Sequence, residues 1–122
     1  MGDFAAFDPR NQKVSQTVAR LFKAAQFDFG LLHEAERTAG NDVRRTGEEG
    51  LFEMLVEANR RLFHQHRFER IVLLDPHGFR ALGKFYPRYG VRVPAQHYTT
   101  FLAENLDRLR PWLAHPLDST VT

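Results

Sequence analysis

A chain of 122 residues, 43% hydrophobic and 26% charged, has the balance of a folded globular domain and is too short for two full-sized ones. The formal charge is only +2 with the signs interspersed, and the one basic concentration, Arg60 to Arg70, is broken by Phe63, Phe68 and Glu69, so it reads as a solvated helix face rather than a nucleic-acid stripe. The chain has no cysteine, which excludes disulfides, thiol nucleophiles, zinc ribbons and any cluster held by its own thiolates, and its longest aliphatic run, Ile71 to Leu74, is far short of the ~20 residues of a membrane helix.

Taken in order, Met1 to Phe7 is a short apolar stretch that predicts a first strand. Asp8-Pro9 is an N-cap followed by proline at the first helical position, and Val14, Val18, Leu21, Phe22 and Ala25 carry helical spacing to about Ala25. Phe27 to Leu32 predicts a second strand. The polar stretch His33 to Arg45 reads as a loop of functional length with one helical turn. Thr46 and Glu49 fit a capping box, and Leu51, Phe52, Leu55, Ala58 or Asn59, and Leu62 continue as a helix. Arg70 to Leu74 is the continuous apolar run of a parallel strand covered on both faces. Asp75-Pro76 repeats the cap, with Phe79, Leu82 and Phe85 leading to Tyr86-Pro87. Gly90 turns the chain into Val91 to His97, a fourth strand whose Pro94 marks an edge or an end. Tyr98 to Leu113 closes as a helix with Leu102, Leu106, Leu109 and Leu113 on one stripe. Strands alternating with helices at these lengths predict an α/β fold: a three-layer, Rossmann-like domain of about four mainly parallel strands with helices on both faces.

In such sheets, sites form at the carboxyl ends of strands. Those ends hold Asp3, the His33–Arg45 loop, the run Asp75 to Gly78, and His97-Tyr98. No phosphate-binding glycine loop and no nucleophile elbow occupies them. Asp75 and His77 have two readings: oxygen and nitrogen ligands completed by Asp3 or His97, or a helix cap and a surface residue of its first turn. His64 and His66, two apart near a helix end, do not face each other. Tyr86, Tyr89, Tyr98 and Phe85 read as a stacking platform or as core.

Three stretches carry a more specific pattern. Residues 71–106, IVLLDPHGFRALGKFYPRYGVRVPAQHYTTFLAENL, follow a run of the form T-x-C-P-H-C-F, a short helix to Y-P, a glycine turn and H-H/Y-T-x-x-L, with Pro76, His77, Phe79, Leu82, Tyr86, Pro87, Gly90, His97, Thr99 and Leu102 in place. Residues 40–62, GNDVRRTGEEGLFEMLVEANRRL, follow C-T-G-D-P-A-R-R-x-G-N-E-x-L-F-x-M-L-A-x-x-N through Gly40, Arg44, Arg45, Gly47, Glu49, Leu51, Phe52, Met54, Leu55 and Asn59. The opening GDFAAFDPRNQKV is similar to G-C-A-G-x-F-D-x-R-x-x-K-V. Together they resemble the cysteine-rich domain of heterodisulfide-reductase-like iron–sulfur oxidoreductases, the group that includes the glycolate oxidase iron–sulfur subunit, over nearly the whole chain.

The resemblance implies its own departures. The family's cysteines would fall at Asp3, Thr38, Asp75 and Gly78, so the family's iron–sulfur cluster is not carried over and this chain is expected to hold no cofactor. The expectation is a degenerate, non-catalytic domain with Asp75, His77, Arg44, Arg45 and His97 about a vestigial pocket. It would serve as a structural and docking part of an electron-transfer protein, its parent an oxidoreductase. Its partners would be the parent's other domains and an electron-transfer subunit, with no nucleic acid and no membrane insertion. A cytoplasmic setting is implied, any membrane association belonging to the parent. Val121-Thr122 resembles the lead into a second cysteine-rich domain, so residues 1–122 are expected to be the first domain of a tandem pair within a larger chain. Docking calls for an exposed apolar patch rimmed by polar residues. The alternative is a repurposed mononuclear metal or small-anion site built from Asp3, Asp75, His77 and His97.

Overall fold

The computed structural model describes residues 8–113. Asp8, in extended backbone, accepts the Arg10 N–H at 2.9 Å and opens α1 (Pro9–Ala24). Pro9 forgoes an N–H that no preceding turn would have used. Val18 and Phe22 are buried while Val14 is 44% exposed, so packing holds the second half of α1.

The 27–32 segment, predicted as a strand, is irregular. Phe27 and Phe29 set their rings edgewise to Phe22, at 5.4 and 5.5 Å between centroids, so the alternation that mimics a strand is satisfied against a helix. The chain passes through one 3-10 turn, His33–Ala35, to α2 (Asn41–Arg45) and α3 (Glu49–His64). The expected capping box is not formed: the Thr46 hydroxyl donates back to the Val43 carbonyl at 2.8 Å, and Gly47, at φ +87°, turns the chain before α3 begins. α3 buries Phe52, Val56, Asn59 and Leu62, one stripe at helical spacing.

β1 (Ile71–Leu73) leads into α4 (Pro76–Arg80), which runs on through a π-helical turn, Ala81–Phe85, and a 3-10 turn, Tyr86–Tyr89. Gly90, at φ +75°, reverses the chain. β2 (Ala95–His97) then pairs parallel to β1, with Ile71 opposite Ala95 and Leu73 opposite His97. The expected fourth strand is shortened to these residues because Pro94 has no N–H to give; its carbonyl still accepts the Ile71 N–H at 2.7 Å. α5 (Tyr98–Glu104) and α6 (Leu106–Leu109) replace the single closing helix. They break at Asn105, whose side-chain amide donates to the Phe101 carbonyl at 2.8 Å and competes with the backbone ladder. Of the expected leucine stripe Leu109 is buried, while Leu106 and Leu113 are exposed.

The architecture is therefore mainly helical, around one short parallel pair of strands, and the three-layer Rossmann-like sheet of about four strands is not formed. The predicted first strand, Met1 to Phe7, lies outside the described residues. β1 is half-buried along its length, so it is not a central strand covered on both faces. The core lies instead between α3 and the α4 run, where Phe52, Val56, Ala81, Leu82, Phe85, Tyr86 and Val91 pack together.

Candidate functional site

Asp75 leaves β1 in extended backbone, and its carboxylate accepts the N–H groups of His77 (3.2 Å) and Gly78 (2.7 Å). Both belong to the first turn of α4, where backbone N–H groups lack helical partners. The carboxylate is thus bound to its own helix. Gly78 is buried beneath it: a Cβ there would stand 3.3 Å from Asp75 Oδ2, 3.3 Å from Leu73 Cδ2 and 3.7 Å from Ala39 Cβ.

Ala39 brings in the third region. The Thr38 hydroxyl accepts the Gly40 N–H at 3.0 Å, and Gly40 turns at φ +77°. Any Cβ on Gly40 would lie 2.9 Å from the Phe52 ring, so both its conformation and its space demand glycine. Two buried polar side chains hold this loop in place. Asn59, on α3, donates to the Thr38 carbonyl at 3.0 Å and to the Tyr86 hydroxyl at 2.9 Å, and that hydroxyl donates to the Ala39 carbonyl at 3.3 Å. Asn59 is 4% exposed and Tyr86 0%, so these bonds are made out of water, where a missing partner is costly.

Three of the four positions matched to cysteines, Thr38, Asp75 and Gly78, are thereby drawn to one place at the carboxyl end of β1. The fourth, Asp3, lies outside the described residues. His97 ends β2, opposite Leu73; its Nδ1 is 2.7 Å from the Thr99 hydroxyl, its ring lies against Tyr98 and Phe79, and its Nε2 is buried without a hydrogen-bond partner. His77 is exposed in the first turn of α4. Arg44 lies with its guanidinium 3.7 Å from the centre of the Phe85 ring, and Arg45 is exposed beside it on α2. Among the described residues no three His, Asp or Glu side chains gather to hold a metal ion, so the alternative site gains no support from Asp75, His77 and His97.

Asn59 and Tyr86, which anchor the site, carried a signal in sequence. Asn59 falls on the apolar stripe of α3, and an amide there must find partners inside the fold. A pocket of about 380 Å³ lies at the other end of the strand pair, lined by residues such as Phe63, Phe68, Arg92 and Pro94, and it shares nothing with this site.

The arrangement is a capped helix start locked against the 38–40 loop, and comparison with known proteins shows what the chain as a whole is similar to. Over 124 residues, 100% of this chain and 17% of the relative, it is 35% identical to the probable iron-sulfur-binding oxidoreductase FadF of Bacillus subtilis (strain 168). The probable membrane-anchored ferredoxin of Chromohalobacter salexigens is 35% identical over 119 residues, 93% of this chain and 18% of that protein. The EtfAB:quinone oxidoreductase of Syntrophomonas wolfei subsp. wolfei is 35% identical over 103 residues, 84% of this chain and 14% of that protein. The chain belongs to this family of iron–sulfur oxidoreductases, and it spans less than a fifth of the length of these relatives. No protein-family profile matches it, and no solved structure does.

The family's group is an iron–sulfur cluster, and the described residues at these positions do not fit one. Thr38 supplies a hydroxyl already bonded to Gly40, Asp75 a carboxylate already bonded to two backbone N–H groups, and Gly78 no side chain. Thiolates are what such clusters require. No helix of the described residues is long and apolar enough to cross a membrane.

Proposed function

We propose that this chain is a cofactor-free, degenerate version of the cysteine-rich domain found in heterodisulfide-reductase-like iron–sulfur oxidoreductases, and that it acts as a structural and docking part of an electron-transfer protein. The observation that carries this reading is the fate of the ligand positions. Position 75 keeps a negative charge, but uses it to cap α4, so a place for metal ligation has become a joint between β1, α4 and the 38–40 loop. The domain is read as the first of a tandem pair, its partners the other domains of a larger, cytoplasmic oxidoreductase and an electron-transfer subunit. Membrane association, where the parent has it, would come from other segments. For docking, Leu51 and Met54 offer an apolar surface one turn apart on α3, 46% and 69% exposed, with the exposed acidic residues Glu49 and Glu53 on the same helix.

The test is anaerobic reconstitution with iron and sulfide, followed by metal analysis and a visible spectrum. The natural chain is expected to retain no stoichiometric iron and to show no cluster absorption. A variant combining Thr38→Cys, Asp75→Cys and Gly78→Cys serves as the positive comparison, because it restores the thiolates that the resemblance assigns to those positions. Stoichiometric iron in the natural chain would overturn the reading.

A further inference from the structure

Phe85 is buried, 4% exposed, yet three guanidinium groups stand round its ring: Arg44 at 3.7 Å from the centroid, Arg80 and Arg88 each at 5.7 Å. Arg44 comes from α2, Arg80 from the last residue of α4 and Arg88 from the 3-10 turn beyond it. Lys84, exposed, falls midway between the latter two in sequence. Three like charges about one ring repel one another, and the ring face recovers part of that cost through cation–π attraction.

These arginines are gathered about one ring with no anion among them. Elsewhere Arg60 and Arg61 share Glu57, Arg70 meets Glu104, Arg110 meets Asp107, and Arg108 donates to the carbonyls of Ala25 and Gln26. Among the described residues no side chain of Arg44, Arg80, Lys84 and Arg88 has a carboxylate partner or donates a hydrogen bond. The nearby Glu49 accepts from the Tyr89 hydroxyl instead. A guanidinium that uses its face on a ring keeps its in-plane N–H groups for an anion, in the fork geometry that fits a carboxylate.

We infer that this patch is a second docking surface, for an acidic protein partner whose carboxylates complete the Arg44–Arg80–Arg88 cluster. It is distinct from the apolar face of α3 and does not depend on the cofactor-free reading. Arg80, Lys84 and Arg88 are exposed, Arg44 is half-buried, and none of them lines the pocket, which suits a protein surface better than a small anion. They are also steadied by one buried ring, which suits a few fixed carboxylates better than the fluid charge of a lipid surface. Such a patch speeds encounter with an acidic partner and makes it salt-dependent.

The test is fluorescence anisotropy at low ionic strength, with the full chain and a labelled octaglutamate peptide. Arg80→Gln with Arg88→Gln should weaken binding about five-fold or more, while Arg61→Gln with Arg110→Gln, which removes the same charge elsewhere, should leave it within about two-fold. Arg44 is left in place because it packs on Phe85, and unchanged melting curves confirm that the variants fold. Equal weakening by both pairs would overturn the proposal, as would no weakening by the first. Tighter, equally Arg80- and Arg88-dependent binding to phosphatidylserine–phosphatidylcholine vesicles, or to inorganic phosphate, would also overturn it.

Discussion

The body of the molecule, built on α3 and the α4 run, and the clasp that joins α1 to α5 are held by different means. In the body, Phe52, Val56 and Tyr86 are almost wholly out of water, and a polar pair, Asn59 and Tyr86, ties the 38–40 loop to them. The clasp is a set of aromatic edges. Phe101 lies 5.1 Å from Phe22 and 5.0 Å from Phe27, and the Arg108 guanidinium sits 4.1 Å over Phe27 while donating to two carbonyls at the end of α1. The body buries its contacts; the clasp leaves Phe29 and the first half of α1 partly in solvent. Thr38, Asp75 and Gly78 sit on the body, the part with the most cohesion.

This contrast is open to direct attack. Phe52→Ala removes a ring at 0% exposure and should cost about 3–5 kcal/mol, unfolding the body as a unit in thermal or denaturant melts. Phe101→Ala removes two ring contacts and should cost about 1–3 kcal/mol, read chiefly as faster amide exchange in α1. If both variants destabilise equally and globally, body and clasp are one cooperative unit and the distinction fails.

A subtler cut separates packing from polar ties within the body. Asn59→Leu keeps the branched shape but takes the donor from the buried Thr38 carbonyl, at a cost of about 1–3 kcal/mol. Exchange at Gly40, whose N–H bonds Thr38, should accelerate more than exchange in α1. Uniform acceleration would mean that Asn59 contributes packing alone.

The smallest expected effect is electrostatic and lies on the outer side of α3. Hydrogen bonds from Arg60, then Arg61, hold the Glu57 carboxyl down at about 2, from an ordinary 4.5. A depressed carboxyl favours the folded state at pH above 4.5, and that contribution is lost as pH falls through about 2. The melting difference between the natural chain and Glu57→Gln should therefore shrink across that window, and salt should shrink it too. A difference that is flat with pH would show that the pair is absent in solution.

Much of the chain was legible locally. Both Asp-Pro caps sit where expected, α1 ends within a residue of the predicted point, and the observed strands 71–73 and 95–97 lie inside the predicted runs 70–74 and 91–97. The approach of the 38–40 loop to Gly78 carried no local signal in the sequence. The misreadings have particular causes. Phe27 and Phe29 alternate as a strand does, but period two does not say whether the partner is a strand or the Phe22 ring. Thr46 and Glu49 have capping-box spacing, but Gly47 turned the chain and sent the hydroxyl to Val43. Asn105 lay inside a regular leucine repeat and broke it with its own side chain.

By itself, then, the sequence determined the features governed by neighbours along the chain: caps, helical stripes, the apolar run of β1, the absence of any thiolate. Partners far apart in sequence were decided by the tertiary structure alone. Asn59 meets Thr38 across 21 residues, Tyr86 meets Ala39 across 47, and Arg108 meets Ala25 across 83. The physical reason is that a polar group's need for a partner is set by burial, whereas the identity of the partner is set by which surfaces the folded helices bring within about 3 Å of it.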